Sequence, residues 1–271
     1  MTRIALFQMT SGIDPEGNAE AIVGAVGGAA MGGAKMLFTP EMSGLIDRDR
    51  SRATPHVVPE AQSIVLAKVC EAAAGAGIWV VLGSLPVLRE DGRWANRCFV
   101  IDAQGEVAAR YDKIHMFDVD LATGESWRES NAYAPGEHVV TVETPAGLLG
   151  LAICYDLRFP ALFEALGRAK CDLISIPAAF TVPTGAAHWH LMQRARAVEA
   201  SAFVVAAAQV GKHQDGRETY GHSLVVDPWG DVVLDMGGAE SGLGFAELDP
   251  ARTAAVRAQL PSLANKRPIT T

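Results

Sequence analysis

Apolar residues fall along this chain in short, dense runs separated by longer stretches of mixed character. In the first half the runs lie at 3–8 (RIALFQ), 35–39 (KMLFT) and 78–83 (IWVVLG), followed by a pair at 97–102 and 106–111. They are rich in β-branched and aromatic residues and predict strands. The second half has matching runs at 148–153, 172–176 and 202–209, then 223–227 and 231–235. Helices are predicted at about 17–32 and 60–76, then at about 160–170 and 188–200. Each half therefore reads strand, helix, strand, helix, strand, hairpin. The hairpin turns are alike, IDAQGEV at 101–107 and VDPWGDV at 226–232. Asp-Pro-Trp-Gly suits a type I turn, with Asp first, Pro second and Gly fourth. LFTPEM at 37–42 also corresponds to SIPAAF at 175–180. The shared order raises the hypothesis of an ancestral duplication.

Helices on one face of each sheet leave two bare apolar faces to pack together. The predicted fold is α/β, a four-layer α-β-β-α sandwich with two mixed sheets face to face. One domain over 1–271 is expected, because no Pro/Gly/Ser linker or charge run divides the halves near 112–146. The segment 112–137 fits neither period. Its length and its aromatic residues Phe117, Trp127 and Tyr133 predict an ordered, functional loop.

Charge and composition narrow the function. The chain of 271 residues is 49% apolar and carries a formal net charge of −8, so no basic excess exists to displace counterions from a nucleic acid. The N-terminus lacks a signal-peptide pattern, and no apolar run approaches the roughly 18–20 residues that span a bilayer. A cytoplasmic protein is expected, with no nucleic-acid or membrane partner. The four cysteines, Cys70, Cys98, Cys154 and Cys171, show no CxxC spacing and are read as thiols.

Taken singly, the candidate chemical residues are unremarkable in position. Cys154 sits where the apolar LAIC meets the polar turn YDLRFP. Backbone N–H groups there can hold an oxyanion and lower a thiol's pKa, although a strand-end cysteine can equally be structural. Glu41, in TPEMSG, ends the 35–39 strand; Lys113 follows the first hairpin; Glu129 lies in the anomalous loop. An acid or a lysine in such places is ordinarily a solvated charge.

Their order is more specific. Glu41, Lys113 and Cys154, within TPEMSG, YDKIHMFDVD and AICYDLRFP, resemble the Glu-Lys-Cys triad of the nitrilase (carbon–nitrogen hydrolase) superfamily. Similar words continue through 177–209 and 220–233, so the resemblance covers nearly the whole chain. It implies the same sandwich, attack by a cysteine on a non-peptide carbon–nitrogen bond, and a homodimer or higher homo-oligomer. Helices near the Cys turn and the tail at about 250–271 are implied to contribute oligomer contacts. It also implies that Glu41 takes the thiol proton and later activates water. Lys113 and the Tyr155 N–H stabilise the oxyanion, ammonia leaves, a thioester remains on Cys154, and Glu129 assists as a second glutamate.

Within the superfamily, 204–230 is similar to the deaminated glutathione amidases, and the FDVD and RAVE words to the ω-amidases acting on α-ketoglutaramate and α-ketosuccinamate. Arg158, with Phe180, Thr181 and Thr184 of a loop at 180–188, is the candidate set for holding a small carboxylate-bearing amide. Two departures stand out: Ala161 replaces the acid after RFP, and His190 follows the Trp of HWE. No organic cofactor or metal is expected. His188 and His190 are two apart, which on a helix points them to different faces, and His222 has no ligand-type partner in sequence. Outside hydrolysis, an acyltransferase or ammonia donor would need a further domain, and a thiol-sensing or binding protein would lack a triad member.

Overall fold

The computed structural model describes residues 1–120, 124 and 126–267. The first half contains β1 (Thr2–Gln8), α1 (Pro15–Met31), β2 (Met36–Phe38), the short α2 (Arg50–Ala53), α3 (Ile64–Ala76), β3 (Trp79–Leu88), β4 (Trp94–Ile101) and β5 (Val107–Asp112). A small hairpin follows, β6 (Asp118–Asp120) with β7 (Ser126–Arg128). The second half runs β8 (Thr141–Thr144), β9 (Gly147–Leu151), α4 (Pro160–Arg168), β10 (Leu173–Ser175), α5 (Val182–Ala200) and β11 (Phe203–Ala206). Then come the hairpin β12 (Val210–Lys212) and β13 (Glu218–Tyr220), β14 (Leu224–Val226), β15 (Val232–Asp235), β16 (Gly242–Leu248) and α6 (Pro250–Gln259).

The strands form two six-stranded sheets of the same design, ordered β16-β1-β2-β3-β4-β5 and β15-β14-β11-β10-β9-β8. In each, three parallel strands are flanked by antiparallel ones. Side-chain alternation divides the burial. On β1, Ile4 and Leu6 face the second sheet and join Leu149, Leu151 and Val205 in one core. Ala5, with Leu37 of β2 and Val80 of β3, faces the other way, under Ile22, Val26, Val69 and Ala73 of α1 and α3. Helices α4 and α5 cover the second sheet through Phe163, Leu166, Trp189 and Ala197. The α-β-β-α sandwich is therefore present. Helix ends follow from capping: Asp14 accepts from the N–H groups of Glu16 and Gly17, with Pro15 in the first turn, and Gly77 closes α3 with φ 66°.

The two hairpin turns agree in detail. Asp102 Oδ1 accepts from the N–H groups of Gln104 and Glu106, and Asp227 Oδ1 from those of Trp229 and Asp231. Gly105 and Gly230 both take positive φ, and each hairpin carries a register shift at its end. Only there does the turn need glycine's freedom.

Some elements differ from expectation. Strand β4 begins at Trp94 rather than 97, and β3 extends to Leu88. The edge strands β8 and β16 and the hairpin β12–β13 are short or weakly apolar, so no run marks them. Helix α5 starts at Val182, so Thr184 belongs to its first turn and not to a loop at 180–188. The segment 112–137 holds β6, β7 and a 3₁₀ turn at Glu129–Asn131, with 121–123 and 125 outside the described residues.

Candidate active site

The C-terminal ends of parallel strands in both sheets open toward one cavity of about 710 Å³. Glu41 comes from the turn after β2. That turn is fixed by Met42 N–H donating to Ser84 Oγ, Ser43 N–H donating to the Ser84 carbonyl, and Gln209 Nε2 donating to the Glu41 carbonyl. Gly83 permits the approach: a Cβ there would lie 2.0 Å from the Thr39 carbonyl oxygen and 2.4 Å from that of Pro40. Lys113 follows β5 on the inward-facing side it shares with Tyr111, its N–H bonded to the Asn96 carbonyl at 2.9 Å. Cys154 follows β9. Its N–H donates to the Pro177 carbonyl at 2.9 Å and its φ is 46°, a left-handed conformation that cysteine rarely adopts.

The charged groups are buried and fully partnered. Lys113 Nζ donates to Glu41 Oε1 at 2.9 Å and to Glu129 Oε2 at 2.9 Å and Oε1 at 3.2 Å. Glu41 Oε2 accepts the Ala179 N–H at 3.0 Å, and the carboxylate faces the Cys154 thiol. Glu129 accepts the Phe117 N–H at 2.7 Å. Burial pushes the Glu41 carboxyl up, but the Lys113 ammonium and the bonds from Cys154, Lys113 and Asn96 more than offset it, and the group is held below 4.5. Burial opposes charge on Lys113 as well. Glu129 and Glu41 overcome it, so the ammonium is retained well above its ordinary range.

The expectation that the turn lowers the thiol pKa is overturned. Burial and the facing Glu41 carboxylate hold Cys154 protonated well above the usual thiol value, against the opposing influence of Lys113 and the Ala179 N–H. The turn at Cys154–Arg158 is only five 3₁₀ residues, too short to act as a helix N-terminus of consequence. The resting arrangement is a neutral thiol facing an ionised glutamate.

Three residues escaped the sequence reading. Asn96 Nδ2 donates to Glu41 Oε1 at 2.9 Å and Glu129 Oε1 at 3.1 Å, bridging the two acids. The signal was alternation: Asn96 shares the inward face of β4 with Cys98 and Val100, so it is the polar member of an apolar series. Asp156, fully buried, accepts from the Tyr111 hydroxyl, the Ile153 N–H and the His115 N–H, with His115 Nδ1 2.7 Å away. Ala179, the second-half counterpart of Glu41, is a backbone donor, which no side-chain pattern could announce.

The substrate-side candidates do assemble. Tyr155, Arg158, Phe180, Thr181 and Thr184 all line the cavity. The Arg158 guanidinium lies 5.8 Å from the Tyr155 ring and 5.7 Å from that of Phe180, and the Thr181 and Thr184 hydroxyls are 2.8 Å apart.

The carbon–nitrogen hydrolase family profile matches residues 3–258. The chain belongs to the carbon–nitrogen hydrolase family. Over 267 residues this carbon–nitrogen hydrolase is 38% identical to the deaminated glutathione amidase of Yersinia enterocolitica, covering 97% of this chain and 92% of that one. Its structure superposes on the C. elegans NitFhit protein with TM-score 0.90 at 36% identity, covering 98% of this chain and 65% of the larger protein. It also matches a Nesterenkonia amidase at TM-score 0.80 and 28% identity, covering 96% and 95% of the two chains. In that Glu-to-Gln variant, the acetamide moiety of fluoroacetamide is added covalently at the active-site cysteine. This hydrolase is a cysteine amidohydrolase. Among its described residues no helix is long and apolar enough to cross a membrane.

The two departures from the family pattern have separate outcomes. Ala161 lies in the first turn of α4, away from the charged cluster. His190 Nε2 lies 2.9 Å from Asp235 Oδ2, and His222 Nδ1 2.9 Å from Asp235 Oδ1, so the reading that His222 lacks a ligand-type partner is corrected. The partner comes from β15, which no local spacing reveals. His188 points elsewhere, to Arg158.

Proposed function

We propose that Glu41, Lys113, Cys154 and Glu129 hydrolyse a carboxylate-bearing amide through a thioester, within a single domain spanning 1–271. The observation that carries this reading is the buried Glu41 carboxylate, 2.9 Å from the Lys113 ammonium and facing the Cys154 thiol. As the sulfur attacks the amide carbonyl, its proton moves to Glu41. The oxyanion forms beside Lys113 and the Tyr155 N–H. One such donor is commonly worth about 2.7–4 kcal/mol of barrier. The protonated Glu41 then delivers its proton to the departing amine and the C–N bond breaks. Water, deprotonated by Glu41, cleaves the thioester to a carboxylic acid and restores the thiol. Glu129 and Asn96 keep the ammonium and Glu41 in register throughout.

Deaminated glutathione is the proposed substrate. The names of the similar amidases support it, and so does the cavity wall. Arg48, Arg50, Arg128, Arg158 and Arg217 line it in a chain of net charge −8. The wall's acids are mostly occupied, Glu41 and Glu129 by Lys113 and Asp47 by Arg52. Among the described residues, Arg48 and Arg158 have no carboxylate partner. The covalent structure of deaminated glutathione makes the leaving group cysteinylglycine, an amine, so ammonia is expected only from primary ω-amides. A homodimer is proposed as well, supported by exposed Leu191, Val198 and Trp229 on and beside α5. A cytoplasmic location remains the proposal for a chain whose cysteines are all free.

The test is hydrolysis of deaminated glutathione, α-ketoglutaramate and α-ketosuccinamate by the wild type, Cys154→Ala and Glu41→Gln, with intact mass for an acyl adduct on Cys154. Cysteinylglycine release that both variants lose supports the reading. Ammonia from the ω-amides alone selects the ω-amidase alternative, and no product or adduct from any substrate overturns the mechanism.

A further inference from the structure

Outside the catalytic cavity, two imidazoles and a carboxylate from three separate segments converge on one point. His190 is on α5, His222 precedes β14, and Asp235 ends β15. His190 Nε2, His222 Nδ1 and an Asp235 oxygen all lie within 4.8 Å of one another. We propose that His190, His222 and Asp235 form a binding site for a divalent metal ion of the zinc class. The donor set suits that ion, since imidazole nitrogen and carboxylate oxygen bind zinc at about 2.0–2.2 Å in tetrahedral geometry. Such legs place neighbouring donors roughly 3.4 Å apart. The present N···O separations of 2.9 Å need to open by only a few tenths of an ångström. Three protein ligands leave a fourth position for water. The side chains are a quarter to a third exposed, so an ion can enter without unfolding.

Each ligand is held by its surroundings. His222 has φ 56°, a conformation that persists in a non-glycine residue only when neighbours impose it. Its N–H donates to the Gly237 carbonyl at 2.8 Å, and its carbonyl accepts from the fully buried Trp189 indole at 2.8 Å. The ring stacks on Tyr220, with centroids 4.5 Å apart. Gly238 leaves room for it, because a Cβ there would come within 3.1 Å of His222 Nε2. Asp235 Oδ1 accepts the Gly237 N–H at 2.9 Å, which orients the carboxylate. A bound ion would staple α5 to the β14–β15 hairpin on the outer layer. His190, one of the two departures from the family pattern, is the ligand supplied by the helix.

The rival is a metal-free network in which Asp235 accepts a hydrogen bond from an N–H of each imidazole. Titration of chelator-stripped, full-length protein with Zn²⁺ and Co²⁺ separates the two. The proposal expects one equivalent of Zn²⁺ per chain, a Tm that rises with added zinc, and the same stoichiometry in Cys154→Ala. Affinity should fall at least about tenfold in His190→Ala and in Asp235→Asn, with amide hydrolysis by both variants unchanged. Bound Co²⁺ should show no thiolate-to-cobalt charge-transfer band. No binding at millimolar metal, equal binding by both variants, or a thiolate band that disappears in Cys154→Ala would each overturn it. None of these results depends on the amide substrate.

Discussion

The Tyr111 hydroxyl donates to Asp156 Oδ2 at 2.6 Å, joining the strand that leads to Lys113 with the turn that presents Cys154. Both groups are buried between the sheets, and the bond spans the two halves of the chain. Tyr111→Phe leaves a buried carboxylate one donor short, which costs about 1.5–3 kcal/mol. A lower Tm is expected, together with a kcat reduced about tenfold and little change in KM. An unchanged kcat would mean that the Cys154 turn holds its place without this bond.

Asn96 donates one amide nitrogen to two carboxylates. Asn96→Ala removes both bonds and lets Glu41 and Glu129 separate from their fixed geometry around Lys113. Steady-state kinetics should show kcat falling by roughly 10- to 100-fold, in line with hydrogen bonds to charged groups. Asn96→Asp should be worse than alanine, because a third carboxylate joins one ammonium.

Gly83→Ala tests the close approach behind Glu41. The added methyl meets backbone oxygens of Thr39 and Pro40, which cannot rotate away as a side chain could. Overpacking of this kind costs about 1–3 kcal/mol. The expected outcome is a lower Tm with a larger loss of activity than stability alone explains, and a normal activity per folded molecule would count against it.

The pH dependence follows from the neutral thiol and ionised acid. Because Cys154 titrates well above 9.0, its alkylation by iodoacetamide should lack an inflection between about pH 6 and 9. Glu41 is depressed below 4.5, so the stability it contributes is present above the unfolded value and is lost as pH falls through the folded one. Thermal melts below about pH 4.5 should therefore be less acid-sensitive in Glu41→Gln than in the wild type.

Arg158 sits on the cavity wall with aromatic neighbours and no carboxylate. Arg158→Leu should raise KM for carboxylate-bearing amides at least about tenfold while leaving a neutral aliphatic amide nearly unaffected. Equal losses on both would assign the residue to the packing of the wall.

The layers and the three parallel strands per sheet were legible because each leaves a local signature, an apolar run or a capping residue, and the words around Glu41, Lys113 and Cys154 named side chains that the structure brings to one cavity. What escaped was non-local. The antiparallel edge β16 returns from the end of the chain to pair with β1, so its neighbour is not in its own sequence window. Asp156 reads as an ordinary turn acid until Tyr111 and His115 arrive from the other half. The raised thiol pKa depends on enclosure, which spacing does not encode. Asn96 was within reach, since one more residue at the start of β4 would have placed an amide on the core face.

Ala179 N–H reaches Glu41 from the opposite sheet, and Cys154 stands on that sheet too. Glu41 and Cys154 thus belong to different layers, and their meeting measures how well the layers are aligned. A molecule whose layers have slipped parts the Cys154 thiol from the Glu41 carboxylate proposed to activate it. The proposed reaction therefore depends on the two sheets being in register, through the placement of a single carboxylate.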